Sequence, residues 1–202
     1  MTDAIVQLVE GALSSPWGLL ALAAVAAVDG FFPVVPSESL VVTAGVFAAA
    51  GDQSLALIIA AGALGAFTGD HISYFIGRFA GEKAMHRAKP GSRRAAAWQK
   101  GHKLLEERGG TFLIVCRYIP GARTAMTLTA GAVAYRLRSF SFFDGIAALS
   151  WGTYSALVGY IGGSAFEDDP FRGLALGLGI ALTVTLIVEL VRYLRHRAAV
   201  AQ

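Results

Sequence analysis

The sequence predicts an all-α polytopic membrane protein, organised as an inverted repeat of a re-entrant helical hairpin plus a transmembrane helix, with flanking transmembrane helices. Three observations lead there. The 202-residue chain is 55% hydrophobic and only 15% charged, with a mean hydropathy of +0.57, too apolar for an ordinary soluble domain. Several apolar stretches approach the roughly 20 residues that cross a bilayer as a helix. Two others are interrupted by proline and carry ionisable groups, and parts of them recur along the chain.

The start, "MTDAIVQLVEGALSSPWGLL", lacks the basic region of a secretory signal and carries Asp3 and Glu10, so no cleavage is expected. Trp17 to Val28 is a first, short apolar segment. Asp29 to Ala50, "DGFFPVVPSESLVVTAGVFAAA", follows. Its prolines remove backbone donors and clash with the preceding turn, and freed backbone groups at membrane depth survive only in protein or beside a wet cavity. This stretch therefore reads as a broken or re-entrant element. Leu55 to Phe79 is long enough to span, and its Gly, Ser and Tyr residues favour close packing against other helices. Ala80 to Gly110 holds eight Lys/Arg against three Glu and contains "RRAAAWQKGHKLLEER". That run reads either as an amphipathic helix with Trp98, Leu104 and Leu105 on one face, lying on headgroups, or as a solvated basic connector. Thr111 to Tyr135 is the second broken element, with Arg136 and Arg138 at its exit. Ser139 to Gly163 is a second long helix, and Gly173 to Tyr193 is the clearest span of all.

These stretches make one membrane domain over residues 1–202, with repeats at 29–79 and 111–163, a basic segment at 80–110 and a C-terminal span at 173–193. An offset of 86 residues lays Thr43-Ala44-Gly45 on Thr129-Ala130-Gly131 and Ala48 on Ala134. The same offset pairs Ala61 with Ala147, Tyr74 with Tyr160 and Gly77 with Gly163. The order, broken element then long helix, occurs twice. Positive-inside counting puts 80–110 and the cluster Arg192, Arg195 and Arg197 on the cytoplasmic side. Both termini are then cytoplasmic, "EDDP" (167–170) faces outward, and the two units have opposite orientation.

Ionisable groups inside spanning segments usually mark a site, because insertion costs roughly 2.5–3.5 kcal/mol each. Asp29 and Glu38 lie in the first broken element, Arg117 and Arg123 in the second. Approaching from opposite faces, the two elements would bring two carboxylates and two guanidiniums together near mid-membrane, where pairing offsets desolvation. Guanidinium forks bind phosphate bidentately and stay charged at any working pH, so a phosphate monoester or diester is the natural ligand. Asp29 or Glu38 would hold the arginines in the empty site and serve as proton acceptors on release. The bland alternative is a structural ion-pair network, or arginines snorkelling to the interface. Asp70, Tyr74 and Arg78 are secondary candidates. Arg78 reads best as an end anchor, Tyr74 as a helix contact and His71 as a packing residue. The lone Cys116 excludes an intramolecular disulfide framework and reads as a small hydrophobe. No metal, cofactor or nucleic-acid partner is expected, and a homodimer is left open.

Three segments, "FFPVVPSES" after Asp29, "GDHISYFIGRFAG" and "RYIPGARTAMTLTAGA", together resemble the DedA family of bacterial membrane proteins, relatives of the VTT-domain lipid scramblases. The resemblance covers about Asp29 to Gly163. It implies two opposed re-entrant elements and the movement of undecaprenyl phosphate, or a phospholipid, between leaflets of the cytoplasmic (inner) membrane. The family's acidic pair falls on Asp29 and Glu38 and its basic pair on Arg117 and Arg123. Asp29 stands where Glu is usual, and "PSE" replaces Pro-Gly-acid. The function expected is thus a lipid-phosphate translocase, or flippase, open to proton coupling. The alternative is a proton-coupled small-solute or drug transporter. Catalysis is not expected, since the second broken element offers Thr124 but no histidine, and neither a PSGH nor a GxSG motif occurs.

Overall fold

A computed structural model of the chain describes residues 16–32, 35–51, 53–86, 92–119 and 121–165. The predicted span at 173–193, the acidic turn at 167–170 and both termini lie outside the described residues. Those described form six helices and no strand: α1 Pro16–Phe31, α2 Ser37–Ala49, α3 Leu55–His86, α4 Arg93–Cys116, α5 Ala122–Ala132 and α6 Leu137–Ser164. The all-α expectation holds. Among the described residues, α3 is the one helix long and apolar enough to cross a membrane.

Local sequence sets the breaks. Pro16 opens α1, where a missing N–H costs nothing. Phe31 closes it two residues before Pro33, with Pro36 immediately before α2. α4 stops before Pro120, and Gly121 enters α5 at φ 73°, a conformation glycine adopts without steric cost. α5 ends in a Schellman arrangement: Tyr135 N–H donates to the Ala130 carbonyl and Ala134 N–H to the Gly131 carbonyl, each at 2.9 Å. Ala134 sits at φ 60°, in the place where glycine is usual.

The long helices α3 and α6 run antiparallel, with Gly152 opposite Ile59 and Ala63 and Gly145 opposite Phe67. α1 runs parallel to α3, as Gly65 fits against Ala23 and Gly69 against Ala27. α4 arrives from the other end, its Trp98 indole donating to the Ala132 carbonyl at 2.9 Å and its His102 Nδ1 to the Val133 carbonyl at 2.7 Å. Thus α1/α2 and α4/α5 are two helical hairpins that enter from opposite ends of the α3/α6 pair. Their tips touch: the Thr124 hydroxyl, at 3.3 Å, reaches the Gly30 carbonyl.

The helix bounds do not fall at 80 and 110. Residues 80–110 are no separate segment, because α3 runs on to His86 and α4 is continuous from Arg93 to Cys116. The apolar face expected on headgroups is partly covered by protein: Leu105 is buried, and Trp98 packs beside it in a cluster with Leu113, Val133, Tyr135 and Phe140.

The short helices lie along the long helix of the opposite half, and glycines set the approach. A Cβ on Gly45 would meet the Ala156 carbonyl and the Tyr160 amide; on Gly131 it would meet the Tyr74 carbonyl and the Arg78 amide. Likewise Gly159 and Gly163 sit on the Val42 and Val46 carbonyls, and Gly77 and Gly81 on those of Leu128 and Ala132. These matching contacts relate the short helices by 86 residues but the long helices by 82. The pairings of Ala61 with Ala147, Tyr74 with Tyr160 and Gly77 with Gly163 are therefore displaced by about one helical turn. α2 runs three residues further than α5 past its shared glycine, and its link to the long helix is one residue longer.

Gly131→Ala is expected to cost about 1–3 kcal/mol, the range for overfilling a packed site. At Gly145 the nearest atom to a new Cβ is Phe67 Cε2 at 3.7 Å, and Gly145→Ala should gain up to ~1 kcal/mol of helix propensity. Unfolding of both variants in detergent micelles checks this; equal stability would contradict the close approach.

Candidate functional site

The Pro-Gly turn between α4 and α5 carries both predicted arginines to one place. Three turn bonds, Tyr118 N–H to Val115 O, Ile119 N–H to Cys116 O and Ala122 N–H to Ile119 O, wind the chain back on itself. Arg117 leaves the end of α4, and Arg123 lies in the first turn of α5. Their partners differ.

Arg117 Nη1 donates to Asp70 Oδ2 at 2.6 Å and to Asp144 Oδ1 at 3.3 Å. Its guanidinium carbon lies 5.5 Å from the Trp151 ring centroid, within cation–π range. The three side chains are 1%, 0% and 3% exposed. Charges so buried are tolerated only when paired. Arg117 Nε and Nη2, Asp70 Oδ1 and Asp144 Oδ2 have no hydrogen-bond partner among the described residues, an uncommon state for buried polar atoms. His71 borders the cluster, with Nδ1 3.7 Å from Asp144 Oδ2. A carbonyl can only accept, so Nδ1, 2.8 Å from the Phe67 carbonyl, carries the hydrogen. Nε2 lies 2.8 Å from the Ser141 hydroxyl.

Arg123 forms the second part, at the meeting of the hairpin tips. Nη2 donates to the Asp29 carbonyl at 2.6 Å and to Asp29 Oδ2 at 3.2 Å, while Nε lies 3.6 Å from Asp70 Oδ1. A cation beside the last carbonyls of α1 also suits the negative end of that helix. Asp29 accepts a further bond from the Ser37 hydroxyl at 2.5 Å, and the Ser73 hydroxyl donates to the Gly30 carbonyl at 2.9 Å. Arg123 and Asp29 are 11% and 16% exposed, so this pair is reachable where the Arg117 cluster is sealed.

Of the expected quartet, three members form ion pairs. Asp29 joins an arginine, but Glu38 forms no ion pair among the described residues. α2 begins at Ser37, which takes the contact with Asp29, and Glu38 in its first turn is rotated about 100° further round the helix. That position near a helix N-terminus itself favours a carboxylate. Asp70, a secondary candidate, is central instead. Asp144 was not expected, although the test that singled out Asp70, an acid within a long apolar helix, finds it in "SFFDGIAALS". Tyr74 is buried, donates to the Tyr135 carbonyl and packs on Phe140. Arg78 pairs with Glu82 at 2.8 Å on an exposed face. Cys116 is half-buried and free.

Residues 35–161 match the VTT domain. The chain belongs to the DedA family of VTT-domain membrane proteins. It is 28% identical over 173 residues to Protein DedA of Escherichia coli (strain K12), covering 84% of this chain and 79% of that one. It is 30% identical over 169 residues to a membrane protein of Mycobacterium tuberculosis (strain ATCC 25618 / H37Rv), with 82% and 74% covered. A protein of Lactococcus lactis subsp. cremoris (strain MG1363) named alkaline phosphatase-like is 24% identical, with 90% and 88% covered. No solved structure matches. DedA membership makes this a membrane protein and points to a transporter or flippase as its class of activity.

Replacing Arg117 by Met leaves two carboxyl groups facing each other without their cation, a loss expected to cost about 3–5 kcal/mol. Adding Asp70→Asn and Asp144→Asn should recover much of it, and Arg123→Met should cost less than Arg117→Met. Denaturation in micelles reads all three; an Arg117→Met protein as stable as wild type would show that the cluster does not hold the fold.

Proposed function

We propose that this DedA-family protein is a lipid-phosphate translocase whose headgroup site is Arg123 with Asp29, backed by Arg117. The observation that carries the reading is the partial exposure of the Arg123–Asp29 pair where the two hairpin tips meet. With α3 spanning the bilayer and α6 antiparallel beside it, hairpins entering from opposite ends become re-entrant elements of an inverted repeat. Arg123 is engaged closely by the carboxylate and carbonyl of Asp29 and only at 3.6 Å by Asp70, so it is poised to exchange the Asp29 carboxylate for phosphate, since guanidinium binds either by the same fork. Large apolar side chains facing outward, such as Leu57, Leu64 and Phe142, suit a protein surrounded by lipid, where an acyl or prenyl tail can stay while the headgroup crosses.

Undecaprenyl phosphate is the substrate the sequence resemblance favours, with a phospholipid as the related choice and the cytoplasmic membrane as the place. Asp29, displaced from Arg123 by an incoming phosphate, is the group that would take up a proton, which gives proton coupling a named residue. A homodimer is compatible with this reading and not required by it. The phosphatase-like name of one relative raises hydrolysis as the competing activity. Thr124, the hydroxyl nearest Arg123 in sequence, is buried and hydrogen-bonded to the Gly30 carbonyl, a poor position for a nucleophile.

Reconstitution into liposomes with labelled undecaprenyl phosphate tests the proposal. Arg123→Ala should slow leaflet exchange by about 10- to 100-fold, the equivalent of ~1.5–3 kcal/mol for a charged hydrogen bond, and Asp29→Asn should abolish acceleration by a pH gradient. Exchange by Arg123→Ala at the wild-type rate would remove the site. Release of inorganic phosphate by the purified protein would replace the translocase with an enzyme.

A further inference from the structure

One to two turns along α3 from Asp70, toward its C-terminus, a cavity of about 380 Å³ opens between α3 and the turn from α5 to α6. Arg78 and Arg136 line it together with Phe75, Leu137, Tyr74 and Tyr135, and no acidic residue is among the lining. The floor is fixed, because the Tyr74 hydroxyl donates to the Tyr135 carbonyl and Gly131 holds the Arg78 backbone close to α5. Arg136 is exposed and forms no ion pair among the described residues. Arg78 contacts Glu82 through Nε, and that pair lies on an exposed face, where such contacts contribute ~0–1 kcal/mol and exchange readily. Two guanidiniums over one concave, acid-free space form a site for a singly or doubly charged phosphate ester.

The surroundings name the source of that phosphate. Phe75, Arg78 and Phe79 share one face of α3 by their spacing; Phe75 is exposed and Phe79 is 69% exposed. Leu137 adds an exposed apolar side chain across the cavity mouth. A free phosphate would use none of this surface. A lipid would place its phosphate between Arg78 and Arg136 and lay a chain along Phe75 and Phe79.

We propose that the Arg78–Arg136 cavity binds the headgroup of an anionic phospholipid, at a site separate from Arg117 and Arg123. The site neither needs nor feeds the translocation reading, since it stands on its own cations and its own apolar ridge. Neutral phospholipids present a phosphate whose charge is cancelled by their own cation, so the two arginines should select against them.

The experiment uses the full chain in mild detergent, titrated with phosphatidylglycerol, phosphatidylcholine, glycerol 1-phosphate or inorganic phosphate, with binding read by native mass spectrometry and by thermal shift. Phosphatidylglycerol should bind and stabilise, and Arg78→Gln together with Arg136→Gln should weaken it by about tenfold or more, the loss expected for two charged contacts. Arg138→Gln, an exposed arginine outside the cavity lining, should leave binding within about twofold, since surface charge away from a site acts only through screened, long-range attraction. Unfolding without lipid confirms that each variant folds; a misfolded double variant is replaced by Arg136→Gln alone, which lies in a solvent-exposed turn. Equal binding of phosphatidylcholine, equal loss in Arg138→Gln, or unchanged binding in the Arg78/Arg136 variants would overturn the proposal. Glycerol 1-phosphate or inorganic phosphate binding as tightly as the lipid would overturn the lipid as its ligand.

Discussion

A guanidinium buried in an apolar helical protein must be neutralised on the spot, and Arg117 is neutralised by acids from two different helices. Asp70 comes from α3 and Asp144 from α6, while Arg117 itself sits at the end of α4. The ion cluster therefore joins the tip of one hairpin to both long helices at once. Removing Arg117 leaves its acid partners without that cation in a low-dielectric interior, which is more costly than exchanging the whole set for apolar groups. The second hairpin is joined to the same centre less tightly, through Arg123 with Asp29 and the weaker approach to Asp70.

Around this centre the packing is governed by small residues. Lipid offers no hydrophobic gain for helix association, so close backbone contact and polar links must supply it. The glycines of α2 and α5 sit directly on backbone atoms of α6 and α3, and the glycines of the long helices return the contact. This brings each short helix against the long helix of the other half, so that neither half is complete alone. The hairpin tips are held in the middle of the arrangement by side chains that satisfy backbone carbonyls freed at the breaks, Ser73 and Thr124 on Gly30 among them. A sealed cluster thus lies beside a partly exposed ion pair.

Much of this was legible in the residues themselves. Prolines at 33, 36 and 120 and the glycine at 121 marked the two breaks, and cations or acids inside apolar runs marked Asp29, Asp70, Arg117 and Arg123. Glu38 forms no ion pair among the described residues, and the hydrogen bond to Asp29 on that side comes from Ser37. Asp144 was overlooked although it passes the same burial-cost test as Asp70. The repeat offset was right for the short helices and one turn out for the long ones, because loop and helix lengths between the matched glycines differ, and identities in an Ala/Gly-rich chain cannot reveal such a slip.

The sequence by itself determined the helical class, the membrane setting, the places where helices break, and the need for buried charges of opposite sign to find each other, since all four follow from local chemistry and from hydrocarbon as a solvent. Which carboxylate meets which arginine was decided only by tertiary structure. Partner choice depends on how helices rotate and cross, and that is fixed by glycine contacts with backbone atoms 39 (Gly30 on Gly69) to 117 (Gly159 on Val42) positions away, beyond anything adjacent residues encode.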